Sequence, residues 1–519
     1  MILIIWANYM GVCGDWVDYT FGVRLINHWD PMGCYIAGGI DLFGDGKYSP
    51  WWGHPGLTLM LLIHIVARVG HFFHSVMDGS APFAIYAAKN IRWIVFFSKT
   101  LIACLTLLSF YILFFVSFII TKNRIISILA VITYATTFPV MYYADRISTE
   151  TLLIIFTLLT FFFIWKHLEN VGKKDTSNAL LFIGLASLSS VSAVYSKLSL
   201  SYPLIPFTIL YIFTGKNDTL KNENYKSRMK YLSAGIYISL SFLFFLLGAQ
   251  KTDWITFLAV WKDFIPVKRD FISISNGITW ESLQEIFSFL FSNLLNITSD
   301  HRKDPLLLAA IYRKYLFLFV EFFLIISTAL GVGLFYKKYP ENRNRLIYIF
   351  IYIFLLLPPI LYNPLFHYLI ILLPFAAIFS AFFFYSVVNK FVNEKVSCKA
   401  KFYLSFLIII LVQQISIAFA VDTRINDYRN YKKWRGYYDA LDRIEYGEKI
   451  GIVNQFPHTF RALHGAGGLP DTTRFIRALK KHVIILDANK KYSMDFIREN
   501  KISLIVALTK DGYEIQFVD

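Results

Sequence analysis

Residues 28–56 read HWDPMGCYIAGGIDLFGDGKYSPWWGHPG, an acidic and glycine-rich stretch set in an oily chain. Asp30 opens it. An aspartate before a proline is a common helix start, and a carboxylate near a membrane surface is also a good proton acceptor; the residues alone leave both roles open. Residues 142–156, YYADRISTETLLIIF, add Asp145, Arg146 and Glu150. Arg146 and Glu150 are four apart and can pair on one helix face, and Glu150 suits a helix N-terminus. SAVYSKLSLSYPLIPF (192–207) sets Lys197 between two apolar runs, where a lysine ordinarily snorkels toward water. YNPLFHYLIILLPFAAIF (362–379) places His367 and Tyr368 at a helix mouth, with Pro374 further in. Each position has an ordinary structural reading. Their sharing one side of a membrane would mean more, because ionisable groups near a bilayer are costly.

The elements that must position them are apolar helices. The 519 residues are 56% hydrophobic and only 17% charged, with 50 Phe and 32 Tyr. A soluble domain carries about a quarter charged residues, so the composition indicates a polytopic membrane protein. The net charge of +16 belongs to cytoplasmic loops and headgroup contacts, and nucleic-acid binding is not read from it. Four cysteines, Cys13, Cys34, Cys104 and Cys398, show neither a CxxC pair nor metal-ligand spacing. The first apolar run, MILIIWANYMGVCG, lacks a basic leader and a small-residue cleavage site and reads as a retained helix.

About eleven spans are expected, near 1–22, 93–121, 125–143, 150–166, 178–196, 198–214, 231–249, 313–336, 346–362, 366–388 and 402–421. Five connections, at 122–124, 166–175, 216–230, 337–345 and 389–401, hold eighteen Lys or Arg, and the alternate connections hold almost none. All five fall on one side under this count, which makes the N-terminus cytoplasmic. A first large outer loop (23–92), an outer amphipathic loop (250–312) and a C-terminal tail then face the outside or the lumen. Residues 56–77 are apolar enough to span, yet His64, Arg68, His71 and His74 recur at helical spacing, so an interfacial helix with one wet face is expected there. The chain thus divides into a transmembrane part, 1–421, and a small extracytoplasmic α/β domain, 422–519. In the latter, 449–454, 482–488 and 502–508 read as strands, with helices at 424–445 and 493–500. GAGGLP (465–470) lacks the strand–turn–helix setting of a nucleotide loop. The sequon Asn296–Ile297–Thr298 falls in the 250–312 loop.

DPMGCYIAGGIDLFGDGKYSPWWGHPGLTL resembles the first outer loop of the C-type membrane glycosyltransferases: an acidic residue, a Tyr–Ala-type helix, a glycine turn, then "HP" before an apolar helix. DRISTETLLIIFTLL resembles their next outer turn, YSKLSLSYPLIP their "K…P" segment and HYLIILLPF their "HY…P" segment. The nearest branch holds the protein mannosyltransferases and aminoarabinose transferases; the WWDYG signature of oligosaccharyltransferase subunits is absent. The resemblance implies an inverting transfer of a sugar from a polyprenyl-phosphate carrier to an acceptor outside the cytoplasm. Asp30 would be the general base, and Arg146, Lys197 and His367 would bind the donor phosphate. Asp145, Glu150, Tyr35, His54 and Tyr368 would support the site or face the acceptor. Asp30, Asp145 and Glu150 have the oxygens a divalent metal needs, although resemblance to metal-independent branches argues against one. Membrane lipids and the lipid-linked donor are the expected partners, with the acceptor open among lipid, protein and glycan. The rival readings are a secondary transporter, which would more often show internal repeats, and a lipid-linked glycan polymerase or ligase using a diphosphate carrier.

Overall fold

The structure, a computed structural model, describes residues 32–40, 56–79, 90–144, 146–214, 223–249, 307–340, 343–362, 370–392, 396–414, 449–454, 483–486, 493–500, 502–508 and 513–517, with a few single residues between them. Asp30, His54, Asp145, His367 and Tyr368 lie outside the described residues, as do the 250–306 part of the second outer loop and the helix expected at 424–445.

Helices α1 (Met32–Ile40) and α2 (Leu57–Asp78) precede a hairpin of α3 (Ile91–Thr121) and α4 (Arg124–Ala135). The hairpin turn is built locally. Lys122 takes a left-handed backbone, and the Asn123 side chain accepts from Ile125 N at 2.9 Å and Ile126 N at 3.2 Å, satisfying two open donors of α4. Next come α5 (Phe138–Tyr143), α6 (Glu150–Gly172), α7 (Thr176–Ser196), α8 (Leu198–Ser201), α9 (Leu204–Thr214) and α10 (Glu223–Ala249). Three long helices follow, α11 (Leu307–Lys338), α12 (Arg343–Tyr362) and α13 (Leu373–Phe391), then α14 over 398–414.

Six described helices are long and apolar enough to cross a membrane: Leu57–Met77, Phe96–Thr121, Glu150–Gly172, Thr176–Ser196, Ser227–Gly248 and Leu373–Phe391. This is the build of an integral membrane protein. Two expected spans are divided; the run at 198–214 is one of the short ones for which a tilted or broken helix is expected, and the run at 125–143 is not. The run at 125–143 breaks after Ala135 and resumes at Phe138, with Pro139 in the first turn of α5. The run at 198–214 is split at Tyr202–Pro203 between α8 and α9. Proline has no amide donor, so it sits where a helix begins and not where one continues.

Rings hold the middle of the bundle together. Phe161 of α6 meets Phe207 of α9 at 5.2 Å between centroids, Tyr352 of α12 at 5.2 Å and Phe375 of α13 at 5.1 Å. With all partners buried, each such pair adds roughly 0.5–1.5 kcal/mol beyond burial. In lipid, where apolar burial drives little association, small residues and hydroxyls supply the rest. Ser327 of α11 bonds Ser380 of α13 at 2.8 Å, and Thr328 Oγ1 donates to the Ala376 carbonyl at 3.1 Å. One turn on, Gly331 lies against the α13 backbone so closely that a Cβ there would overlap the Phe379 carbonyl. Gly331→Ala is therefore expected to push the two helices apart and cost about 1–3 kcal/mol. A lower thermal midpoint in detergent, with Gly333→Ala as a control in open space, is the measurement.

Helix α2 is turned differently from a wet-faced interfacial helix. Its histidines point inward, with His71 packed on Phe83 and Tyr86 and His64 on Phe83, and Arg68 stands exposed at the edge of the stripe. Its outward face is a column of large apolar side chains, Leu61, Ile65, Val69, Phe72, Phe73, Val76 and Met77. At the C-terminal end, strands β1 (Lys449–Asn454), β2 (Val483–Leu486), β3 (Ile502–Leu508) and β4 (Tyr513–Phe517) form one sheet in the order β2-β1-β3-β4. The first three run parallel, α15 (Met494–Glu499) leads into β3, and β4, which the sequence reading did not mark, closes the edge antiparallel to β3.

Candidate functional site

Of the residues that the sequence singled out, Arg146, Glu150 and Lys197 lie where α6 begins and α7 ends. Residues 146–149 form a bend, and the α-helix starts at Glu150. Arg146 therefore lies ahead of the helix and not four residues along its face, so the helical pairing geometry expected for Arg146 and Glu150 does not apply. The bend is fixed from α3: Thr106 Oγ1 donates to the Ala144 carbonyl at 3.1 Å and lies 3.4 Å from Thr151 Oγ1. Ile147, in the bend, is buried in the same apolar cluster as Leu59, Ile63 and Ile102.

Helix α7 ends as Lys197 turns extended, at φ −157° and ψ 92°. That turn sends the lysine side chain inward. Its Nζ donates to Glu150 Oε1 at 2.5 Å, across 47 residues of sequence, and both side chains are 0% exposed. Lys197 is thus not a snorkelling lysine. It is one half of a dry ion pair, and the remaining oxygen of Glu150, Oε2, has no hydrogen-bond partner among the described residues. Arg146 is only 4% exposed in the adjoining bend. Two basic groups and one carboxylate therefore share the rim of these two helices, in a setting that strengthens every charge interaction.

Three hydrogen bonds join other parts of the chain to this rim. Ser196 donates to the Ser192 carbonyl at 2.8 Å, so it accepts from Thr58 Oγ1 at 2.7 Å. Thr58 stands in the first turn of α2, two residues after the acidic loop ends at Gly56. Gly56 has φ 57°, a left-handed backbone that suits glycine, and the Tyr35 ring fills the space a side chain would take. Tyr35 is accordingly a packing residue that pins α1 onto the start of α2, where Gly39 also leaves a Cβ only 2.8 Å from Ile63. On the other side, Tyr202 OH donates to the Leu355 carbonyl of α12 at 2.9 Å, tying the Lys197–Pro203 corner to the helix that leads toward 362–369. Tyr195 OH donates to the Phe245 carbonyl, which fixes the C-terminal end of α10.

Lys99 was not singled out in the sequence. It is 2% exposed on the face of α3 that also carries Phe96, Ile102 and Thr106. The signal was present, because a lysine inside an apolar span is unusual, but two charges in 31 residues, Arg92 and Lys99, leave the hydropathy of the run intact. Among the described residues no cluster of three His, Cys, Asp or Glu could hold a metal ion.

No protein-family model matches the chain, and no curated protein matches it significantly. Among solved structures it is similar to the Archaeoglobus fulgidus oligosaccharyltransferase, with a TM-score of 0.46 and 13% identity, over 94% of this chain and 67% of that one. It is also similar to ArnT from Cupriavidus metallidurans, with a TM-score of 0.38 and 10% identity, over 98% of this chain and 92% of that one. Likeness of this extent assigns no activity.

Proposed function

We propose that the chain is an integral membrane glycosyltransferase that moves a sugar from a polyprenyl-phosphate carrier to an acceptor on the outer or lumenal side. What supports this reading is a convergence: the segment after Asp30 (through Thr58), the 146–150 bend and the Lys197 corner all close on one rim. The carrier gives that rim a purpose. Its tail lies in lipid and its phosphate at headgroup depth, so the reacting carbon is just outside the hydrocarbon. Arg146, Lys197 and His367 are proposed to stabilise the charge that grows on the leaving phosphate. Asp30 is proposed as the base that takes the acceptor hydroxyl's proton, with attack opposite the phosphate inverting the anomeric centre. His54, Asp145, Glu150 and Tyr368 would complete the surroundings, Glu150 by holding Lys197. In the same reading the chain crosses the membrane about eleven times, starts in the cytoplasm and carries residues 422–519 outside.

The test is transfer by the purified full-length protein in nanodiscs, offered labelled polyprenyl-monophosphate sugars and extracted envelope lipids, glycans and proteins. Labelled product from a monophosphate donor is the expected result. Use of a diphosphate donor alone would replace the reading with a polymerase or ligase. Solute flux into proteoliposomes with no glycosyl product would replace it with a transporter.

A further inference from the structure

Arg68 is an exposed guanidinium on a helix whose outward face is otherwise oily, with Ile65, Val69 and Phe72 beside it. Two contacts hold it in place. Its Nε donates to His64 Nε2 at 3.2 Å, and its Cζ stands 3.9 Å over the Phe83 ring. His64 is itself anchored: Nδ1 lies 2.8 Å from the Gly39 carbonyl, which only accepts, so Nδ1 carries the proton and Nε2 is left to receive Arg68. The Nη groups of Arg68 make no hydrogen bond or ion pair among the described residues. A preoriented fork is thus presented outward, and Leu57–Met77 contains no acidic residue to answer it.

The position of Arg68 decides how α2 lies. It is the twelfth of 22 residues in a helix about 33 Å long. If α2 crossed the bilayer, this exposed charge would sit near the mid-plane, at a cost of about 2.5–3.5 kcal/mol or more. If α2 lies along the membrane surface, the apolar column enters the acyl region and the guanidinium stays at phosphate depth. We propose that α2 lies in the headgroup layer and that Arg68 clamps the phosphate of an anionic glycerophospholipid there. The occupant follows from complementarity: a planar fork matches a phosphate with two parallel bonds, the flanking Ile65, Val69 and Phe72 match acyl chains, and a cation with no ion pair among the described residues favours a lipid with net negative charge.

Native mass spectrometry of the delipidated full-length protein tests this, using phosphatidylglycerol, phosphatidylcholine and a polyprenyl monophosphate as separate probes. Wild type is expected to hold phosphatidylglycerol more tightly than phosphatidylcholine. Arg68→Gln should weaken phosphatidylglycerol binding about tenfold or more. Arg68→Lys should fall between, because an ammonium cannot bond His64 and also fork a phosphate. Unchanged phosphatidylglycerol affinity in Arg68→Gln, equal retention of the two phospholipids, or Arg68 dependence for the polyprenyl probe alone would each overturn the proposal. A second measurement needs no charge variant: a nitroxide at Val69→Cys, with the native cysteines replaced by serine, should report a depth just below the headgroups. A mid-bilayer depth would overturn it equally.

Discussion

Lys197→Met is expected to lower the stability of the folded protein by about 3–5 kcal/mol, because it strands the Glu150 carboxylate in a dry site. Its amine is the one hydrogen-bond partner Glu150 has among the described residues, and Oε2 is already without one. Thermal unfolding in detergent and the fraction of monodisperse protein are the measurements. The double variant Lys197→Met/Glu150→Leu should recover most of the loss, since apolar side chains of similar volume often replace a buried pair without cost. Activity separates two roles. If Lys197 also meets the donor phosphate, the double variant is folded and still deficient in transfer. A double variant that folds and turns over normally would make the pair a brace and nothing more.

The second large effect is expected at Asp30. Asp30→Asn keeps the size of the side chain but replaces a basic carboxylate with a neutral amide that does not take up a proton. Transfer should fall by about 10²–10⁴-fold. Donor binding and monodispersity should be unchanged, because the loss belongs to the chemical step and not to the ground state. Asp15→Asn and Asp18→Asn serve as controls from the same N-terminal region. Normal turnover in Asp30→Asn, or an equal defect in Asp18→Asn, would assign the proton to another group.

Much of the helical frame was legible because it is written in contiguous oil. The runs at 93–121, 150–166, 178–196 and 231–249 need no knowledge of their neighbours, and helices occupy all four. The run at 198–214 is short enough to suggest a tilted or broken span, and it divides at Pro203; the division near Pro139 was not legible, since hydropathy averages over a proline. Polar patterning was readable in period and not in direction. His64, Arg68 and His71 recur as one stripe, yet only the packing of Gly39, Phe83 and Tyr86 shows that most of the stripe faces protein and that Arg68 stands at its edge. Side-chain pairing was the least legible. Spacing rules speak to neighbours four apart, and so suggested Arg146 for Glu150; the partner seen is Lys197, which only a tertiary contact can bring there. Ser196 and Thr58 are ordinary hydroxyls in sequence and acquire significance by meeting.

Gly331 carries a mechanical consequence. Main chain touches main chain there, and a slide of α11 along α13 by one turn would bring Ser327 or Phe335 to a spot that admits only a hydrogen atom. Neither ratcheting nor axial rotation is open to this pair without separation. The two helices form a stiff strut, and any rearrangement during a working cycle has to be carried by the elements around it.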